Sequence, residues 1–247
     1  VPAANRTQAH LNAINAMERA VAKATNAQIL DMAKDESGKE ALKKASAYLN
    51  PEQIKALTGS DALTDDFKRK LAEDKQTATI ANLGLATVPE NINKASKDQL
   101  KFIGYDQLKA HAEFLQDSQL DDLKAFTSDG TLTPTELSQI KAERESKINA
   151  AANTPAGVLT IINSRKSEKE VAKLPKNFLE SFNFIAGANL QNSKYKISSS
   201  LLTKIAQESD GIDKRTIGIN MRTAYGANNI PNDITQFLQT GMGSMFN

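Results

Sequence analysis

Four stretches of the chain carry one local instruction: a small polar residue, two spacers, Gln or Glu, then an apolar residue that opens a short stripe. It is clearest in Asn50-Pro51-Glu52-Gln53-Ile54-Lys55-Ala56-Leu57 and in Thr133-Pro134-Thr135-Glu136-Leu137-Ser138-Gln139-Ile140, and it returns at 25–32 and 96–103. The small polar side chain accepts from the amide three residues on, while the Gln or Glu there reaches back to the amide of the cap. Two of a helix's unpaired donors are met at once. Proline directly after the cap suits the first helical position, where no N–H is needed. A chain that starts helices this often folds into many short ones.

Apolar spacing agrees. Leu11, Ile14, Met17 and Val21 share one helical face, as do Ala41, Leu42, Ala45 and Leu49, then Phe178, Phe182 and Ile185, then Leu201, Leu202 and Ile205. Thr64 caps a helix that turns Phe67 and Leu71 inward, and the helix from Pro134 runs to Ala152 with Glu143, Arg144, Glu145 and Lys147 on its wet face. No stretch of strand length alternates; residues 197–200 and 216–220 could be extended, but neither has a partner strand. Only 5% of residues are aromatic and Trp is absent, so Ala and Leu fill the core and favour closely approaching helices. The expectation is an all-α fold: an irregular array or bundle of many short capped helices, with superhelical stacking left open and an irregular C-terminal segment. That segment holds one short helix near 231–238.

A solenoid demands a nearly fixed period. The caps Thr25, Asn50, Ser96 and Thr133 are unevenly separated, so the phrases read as independent helix starts. The best boundary is 149–156, around Pro155. It divides an N-terminal helical domain or subdomain, 1–150, from a C-terminal one with an irregular tail, 151–247, unless the two form one continuous domain.

The constellations that could carry chemistry are sparse. With no Cys, the chain has no disulfide, thiolate metal site or cysteine nucleophile. His10 and His111 lack further ligands at helical spacing, and Ser37-Gly38-Lys39 ends like a phosphate loop whose first glycine is replaced by Ala33. Asp129-Gly130-Thr131-Leu132-Thr133-Pro134-Thr135-Glu136 resembles the second half of an EF-hand loop. Ala125 and Thr127 stand where the first ligands belong, so Asp129 and Glu136 are read as a turn and a capping box rather than a metal site. No metal or other cofactor is expected, and no enzymatic grouping is recognised.

Charge is balanced, 31 basic against 29 acidic residues, which supplies no whole-chain attraction to nucleic acid. Two basic runs, Arg165, Lys166, Lys169, Lys173 and Lys176, then Lys194 to Arg222, are diluted by acids and read as solvated helix faces. No apolar run approaches the ~20 residues of a bilayer span, the opening Val1-Pro2-Ala3-Ala4 has no signal-peptide pattern, and the compartment stays open.

The C-terminal stretch changes character. Only Asp233 is charged after Arg222, while Phe237, Leu238, Met242, Met245 and Phe246 bring apolar groups among glycines. These five are the candidate partner contacts, packing back across the domain or docking on another subunit. The expected role is a non-enzymatic structural or scaffolding component of a larger protein assembly, of the virion or secretion-machinery type, whose partners are protein subunits, its own or others. The alternative is a helical adaptor that grips a peptide or helix. A nucleic-acid-associated protein using 165–222 ranks third.

Overall fold

The computed structural model describes residues 16, 19–186, 192–208, 214–226 and 228–242. Among them there is no strand: the fold is all-α. The chain separates into two compact units. One comprises residues up to Thr87 together with Ala95–Gly104, and the other Val88–Lys94 together with Tyr105 onward. The stretch 149–156 lies inside the second unit.

The first unit holds α1 (Asn26–Met32), α2 (Glu36–Lys44), a 3-10 turn at Ser46–Tyr48, α3 (Pro51–Thr58), α4 (Asp65–Leu83) and the beginning of α5 (Lys97–Ala110). The phrases do what their chemistry dictates. Thr25 Oγ1 accepts from the Gln28 amide at 3.2 Å while Gln28 Oε1 accepts from the Thr25 amide at 2.9 Å, and Asn50 and Gln53 repeat the exchange at 2.9 and 2.8 Å. Ser96 and Gln99 do so at 3.2 and 2.9 Å. Ile29, Leu42, Leu57 and Leu71 are fully buried together, each worth roughly 1.5–3 kcal/mol of apolar burial. Leu11, Ile14 and Met17 lie outside the described residues.

Two side chains tie this unit beyond apolar packing. Gln53, buried, uses its amide Nε2 on the carbonyls of Val21 and Ala24 at 2.7 and 2.9 Å, which fixes the end of the preceding helical residues against α3. Lys75, also buried, donates to the Ala47 carbonyl at 2.5 Å under the ring of Phe102. Burial holds its ammonium below the ordinary range, with Asp98 opposing.

The second unit holds a 3-10 stretch at Pro89–Lys94, the remainder of α5, a 3-10 turn at Ala112–Phe114, α6 (Asp117–Ser128), α7 (Pro134–Ala151), α8 (Pro155–Asn163), α9 (Glu168–Ala172), α10 (Lys176–Ala186), α11 (Ser199–Glu208), α12 (Lys214–Tyr225) and α13 (Asn232–Met242). Phe126, Ile140, Ile148, Val158, Phe178 and Ile205 form its buried apolar interior. The side chains of Phe182 and Ile185 are outside the described set.

Past Glu208 the structure is more helical than the sequence suggested. Residues 216–220, for which the sequence left an extended conformation open, belong to α12. Met221 is fully buried there, and α12 packs along α10, so tertiary burial overrides local β-branched preference. The segment expected to hold one helix near 231–238 carries α13, which continues to Met242.

Candidate functional site

Within the apolar interior of the second unit lies a buried polar network. Arg165 is 0% exposed. Its Nη1 donates to the Leu115 carbonyl at 3.0 Å, Nη2 to the Glu113 carbonyl at 2.5 Å, and Nε to the Ile161 carbonyl at 3.2 Å, with Ser164 Oγ 3.0 Å from Nη2. Arg144 Nε donates to the same Leu115 carbonyl at 2.9 Å. The carbonyls at the end of the 3-10 turn have no helical partner, and the two guanidinium groups supply it. Burial, and the charge of Arg144 beside it, push the Arg165 guanidinium down to about 9; burial also lowers Arg144.

These two residues correct the sequence reading. Arg165 belongs to no basic surface run, and Arg144 is not on the wet face of α7. Ile140, Arg144 and Ile148 recur four residues apart and are all buried, so the arginine occupies a position of the apolar stripe and reaches carbonyls through its long stem.

Glutamines extend the network. Gln116 Nε2 donates to the Ser164 carbonyl at 3.1 Å and its Oε1 accepts from the Lys166 amide at 2.9 Å. Gln119 Oε1 caps the Gln116 amide at 2.9 Å while its Nε2 reaches the Ile92 carbonyl, also at 2.9 Å. Asn93 Nδ2 meets the Ser164 carbonyl at 2.6 Å. Glu170 Oε2 accepts the Asp117 amide at 2.7 Å at the start of α6, where a carboxylate complements the helix dipole and faces the arginine pair.

Outside this interior a cleft of about 520 Å³ opens between the 3-10 turn, α7 and α8. Phe114 and Ile161 are its apolar floor; Ala150, Ala151 and Gly157 are its low walls. A Cβ at Gly157 would overlap the Ala151 carbonyl oxygen, so the closeness of α7 and α8 requires glycine there. Glu113 and Lys147 stand at the mouth, with Lys147 Nζ 3.5 Å from Glu113 Oε2 and 2.9 Å from the Ala110 carbonyl it donates to. His111 lies in the same electrostatic neighbourhood; burial lowers its pKa, with Glu113 opposing and Lys147 reinforcing. Thr160 Oγ1 donates to its own helix at the Ala156 carbonyl. The geometry suits an apolar group of modest size with a polar or charged neighbour at the rim.

The sequence-predicted residues fall elsewhere. Asp129 Oδ1 accepts from the Thr131 amide and hydroxyl, at 3.0 and 2.5 Å, and Glu136 Oε1 from the Thr133 amide at 2.9 Å, so both carboxylates engage their own turn and cap. Among the described residues no group of three or more His, Asp or Glu is placed to hold a metal ion. Leu238 is buried in α13 and Phe237 half-buried; Met242 is in the last turn, and Met245 and Phe246 lie outside the described residues. No helix among the described residues is long and apolar enough to cross a membrane. Glu113, Lys147, Arg144 and Arg165 went unrecognised as a group in the sequence; the one legible signal was an arginine on an isoleucine stripe.

No protein-family model matches the chain, and no curated protein and no solved structure matches it.

Proposed function

We propose that the chain is a non-catalytic structural component of a larger protein assembly, a braced helical body that presents contact surfaces to other subunits, its own copies or different proteins. One observation carries the reading: among the described residues, the buried cations Lys75, Arg144 and Arg165 are directed at main-chain carbonyls of turns. Catalysis needs charged groups that face a substrate, whereas cations aimed at carbonyls lend stiffness to the chain that carries them. The balanced charge of the chain, 31 basic against 29 acidic residues, favours protein partners over nucleic acid.

The cleft supports a second reading, an adaptor that accepts a partner helix or peptide. Small residues on α7 and α8 let a foreign backbone approach, and the Glu113–Lys147 pair selects its orientation.

Light scattering on the full chain at near-physiological salt tests the first reading, with Ala150→Trp as the cleft-filling variant on an exposed position. A discrete multimer above the 26.8 kDa chain mass supports self-assembly. A monomer at every concentration contradicts it. A multimer that Ala150→Trp dissolves places the contact at the cleft.

A further inference from the structure

We infer that the chain contains two copies of one helical module, and that Lys75 and Arg144 are equivalent positioning residues within them. The correspondence appears when whole blocks of elements are compared. In the first block α2 leads to the turn Ser46–Tyr48, then α3, then the Thr64-capped α4. In the second, the later part of α5 leads to the turn Ala112–Phe114, then α6, then the Thr133-capped α7.

The alignment holds at a constant offset through Leu42 and Leu108, Leu49 and Leu115, Gln53 and Gln119, and Leu57 and Leu123. After a longer helix in the second block, 12 residues against 8, it resumes through Leu63 and Leu132, Leu71 and Ile140, and Lys75 and Arg144. Every one of these residues is buried in its own copy. Independent helix starts have no reason to share burial, order and residue type over this length.

The donors match position by position, and their acceptors lie in the same two neighbourhoods of each copy. Gln53 and Gln119 each cap the amide three residues back through Oε1 and tie down an earlier carbonyl through Nε2. Lys75 and Arg144 each leave the long helix to meet a carbonyl at their own copy's turn, that of Ala47 within the first and, two aligned positions further on, that of Leu115 closing the second. Gly38 and Gly104 correspond as well. A Cβ at Gly38 would overlap the Met32 carbonyl oxygen, and Gly104 breaks α5 with φ 78° and ψ 173°, so glycine is demanded at the same junction for two different steric reasons. The copies diverge at the cleft: where the second has Glu113 and Lys147, the first has Ala47 and Ala78.

Two experiments on the full chain test the duplication. In urea, Lys75→Met is expected to lower the unfolding midpoint by roughly 1 M, the scale of a lost charge-assisted hydrogen bond. Lys75→Arg should recover most of that loss, and Arg144→Lys should lose less than Arg144→Met. If Lys75→Arg unfolds as early as Lys75→Met, the two positions are not interchangeable and the equivalence fails. The second experiment builds the second copy's ion pair into the first, as a double-mutant cycle of Ala47→Glu and Ala78→Lys. Coupling, with the double variant unfolding later than the summed single shifts, supports equivalent geometry. Strict additivity overturns it.

Discussion

Arg144 and Arg165 share one acceptor: Nε of the first and Nη1 of the second donate to the carbonyl oxygen of Leu115, at 2.9 and 3.0 Å. Two like charges remain together in the interior because the carbonyls of a 3-10 turn need donors and because Glu170 and Glu113 supply opposing charge. Arg165 has the larger share, bonding three carbonyls and Ser164 Oγ. Arg165→Met should therefore cost about 3 kcal/mol, since it strands several buried acceptors. Arg144→Met should cost less, because its one acceptor, the Leu115 carbonyl, keeps Arg165 Nη1 as a donor. Chemical denaturation of both variants checks the order, and equal losses would contradict it.

Gln53 gives a sharper test of side-chain identity. The capping role alone accepts Glu as readily as Gln. The structure adds a demand for a donor, because Nε2 sits 2.7 and 2.9 Å from the Val21 and Ala24 carbonyls. Gln53→Glu should destabilise by about 2 kcal/mol or more at neutral pH, as a carboxylate is pressed on two carbonyls without a donor. Lowering the pH toward the carboxylate range should restore part of the loss. Stability equal to wild type at neutral pH would show that these two bonds are dispensable.

His111 sets an acid limb. Burial lowers its pKa from the ordinary 6.5, and Glu113 and Lys147 act in opposite directions on it. Below 6.5 the unfolded histidine takes a proton while the folded one stays neutral, so the unfolded state binds more protons and stability falls as pH drops. His111→Gln should flatten this part of the profile. Thermal melts between pH 7 and pH 5 measure it; an unchanged slope in the variant would assign the acid limb to other groups.

Gly157→Ala probes the approach of α7 to α8. The added methyl meets the Ala151 carbonyl oxygen and Thr154 Oγ1, and backbone cannot yield as a flexible side chain would. A loss of about 1–3 kcal/mol is expected, the usual range for overpacking. A neutral effect would mean that the helices separate freely and that the cleft walls are not held.

Much of this architecture was legible in local chemistry. Thr25, Asn50, Ser96 and Thr133 cap helices as their phrases indicate, and the periodic residues Leu42, Leu49, Leu201, Leu202 and Ile205 are buried. The module is hidden from a comparison of successive caps, which are unevenly spaced. Asn50 answers to Gln116 and Thr64 to Thr133, so the period belongs to a block of elements and is invisible between neighbouring caps. At Gln116 the small polar residue is absent altogether.

The buried arginines were missed for a different reason. Arg is usually solvated, so Arg144 between Glu143 and Glu145 reads as a solvent-facing residue. Its acceptor, the Leu115 carbonyl, lies 29 residues away in the chain. No local pattern announces a carbonyl left without a donor at a distant turn. α12 shows the same limit, because its burial of Met221 along α10 is decided by tertiary packing rather than by the residues of 216–220.

Residue-resolved amide hydrogen exchange on the full chain tests most directly the claim that buried cations brace the two turns. The Leu49 amide bonds the Ser46 carbonyl and the Leu115 amide that of Ala112, and such single 3-10 turns ordinarily exchange quickly. With Lys75 and Arg144 in place, both amides should open only with free energies close to that of global unfolding, and Arg144→Met should speed Leu115 by on the order of tenfold. Exchange at Leu49 and Leu115 as fast as at frayed helix ends would contradict the bracing and remove the main support for a rigid scaffold.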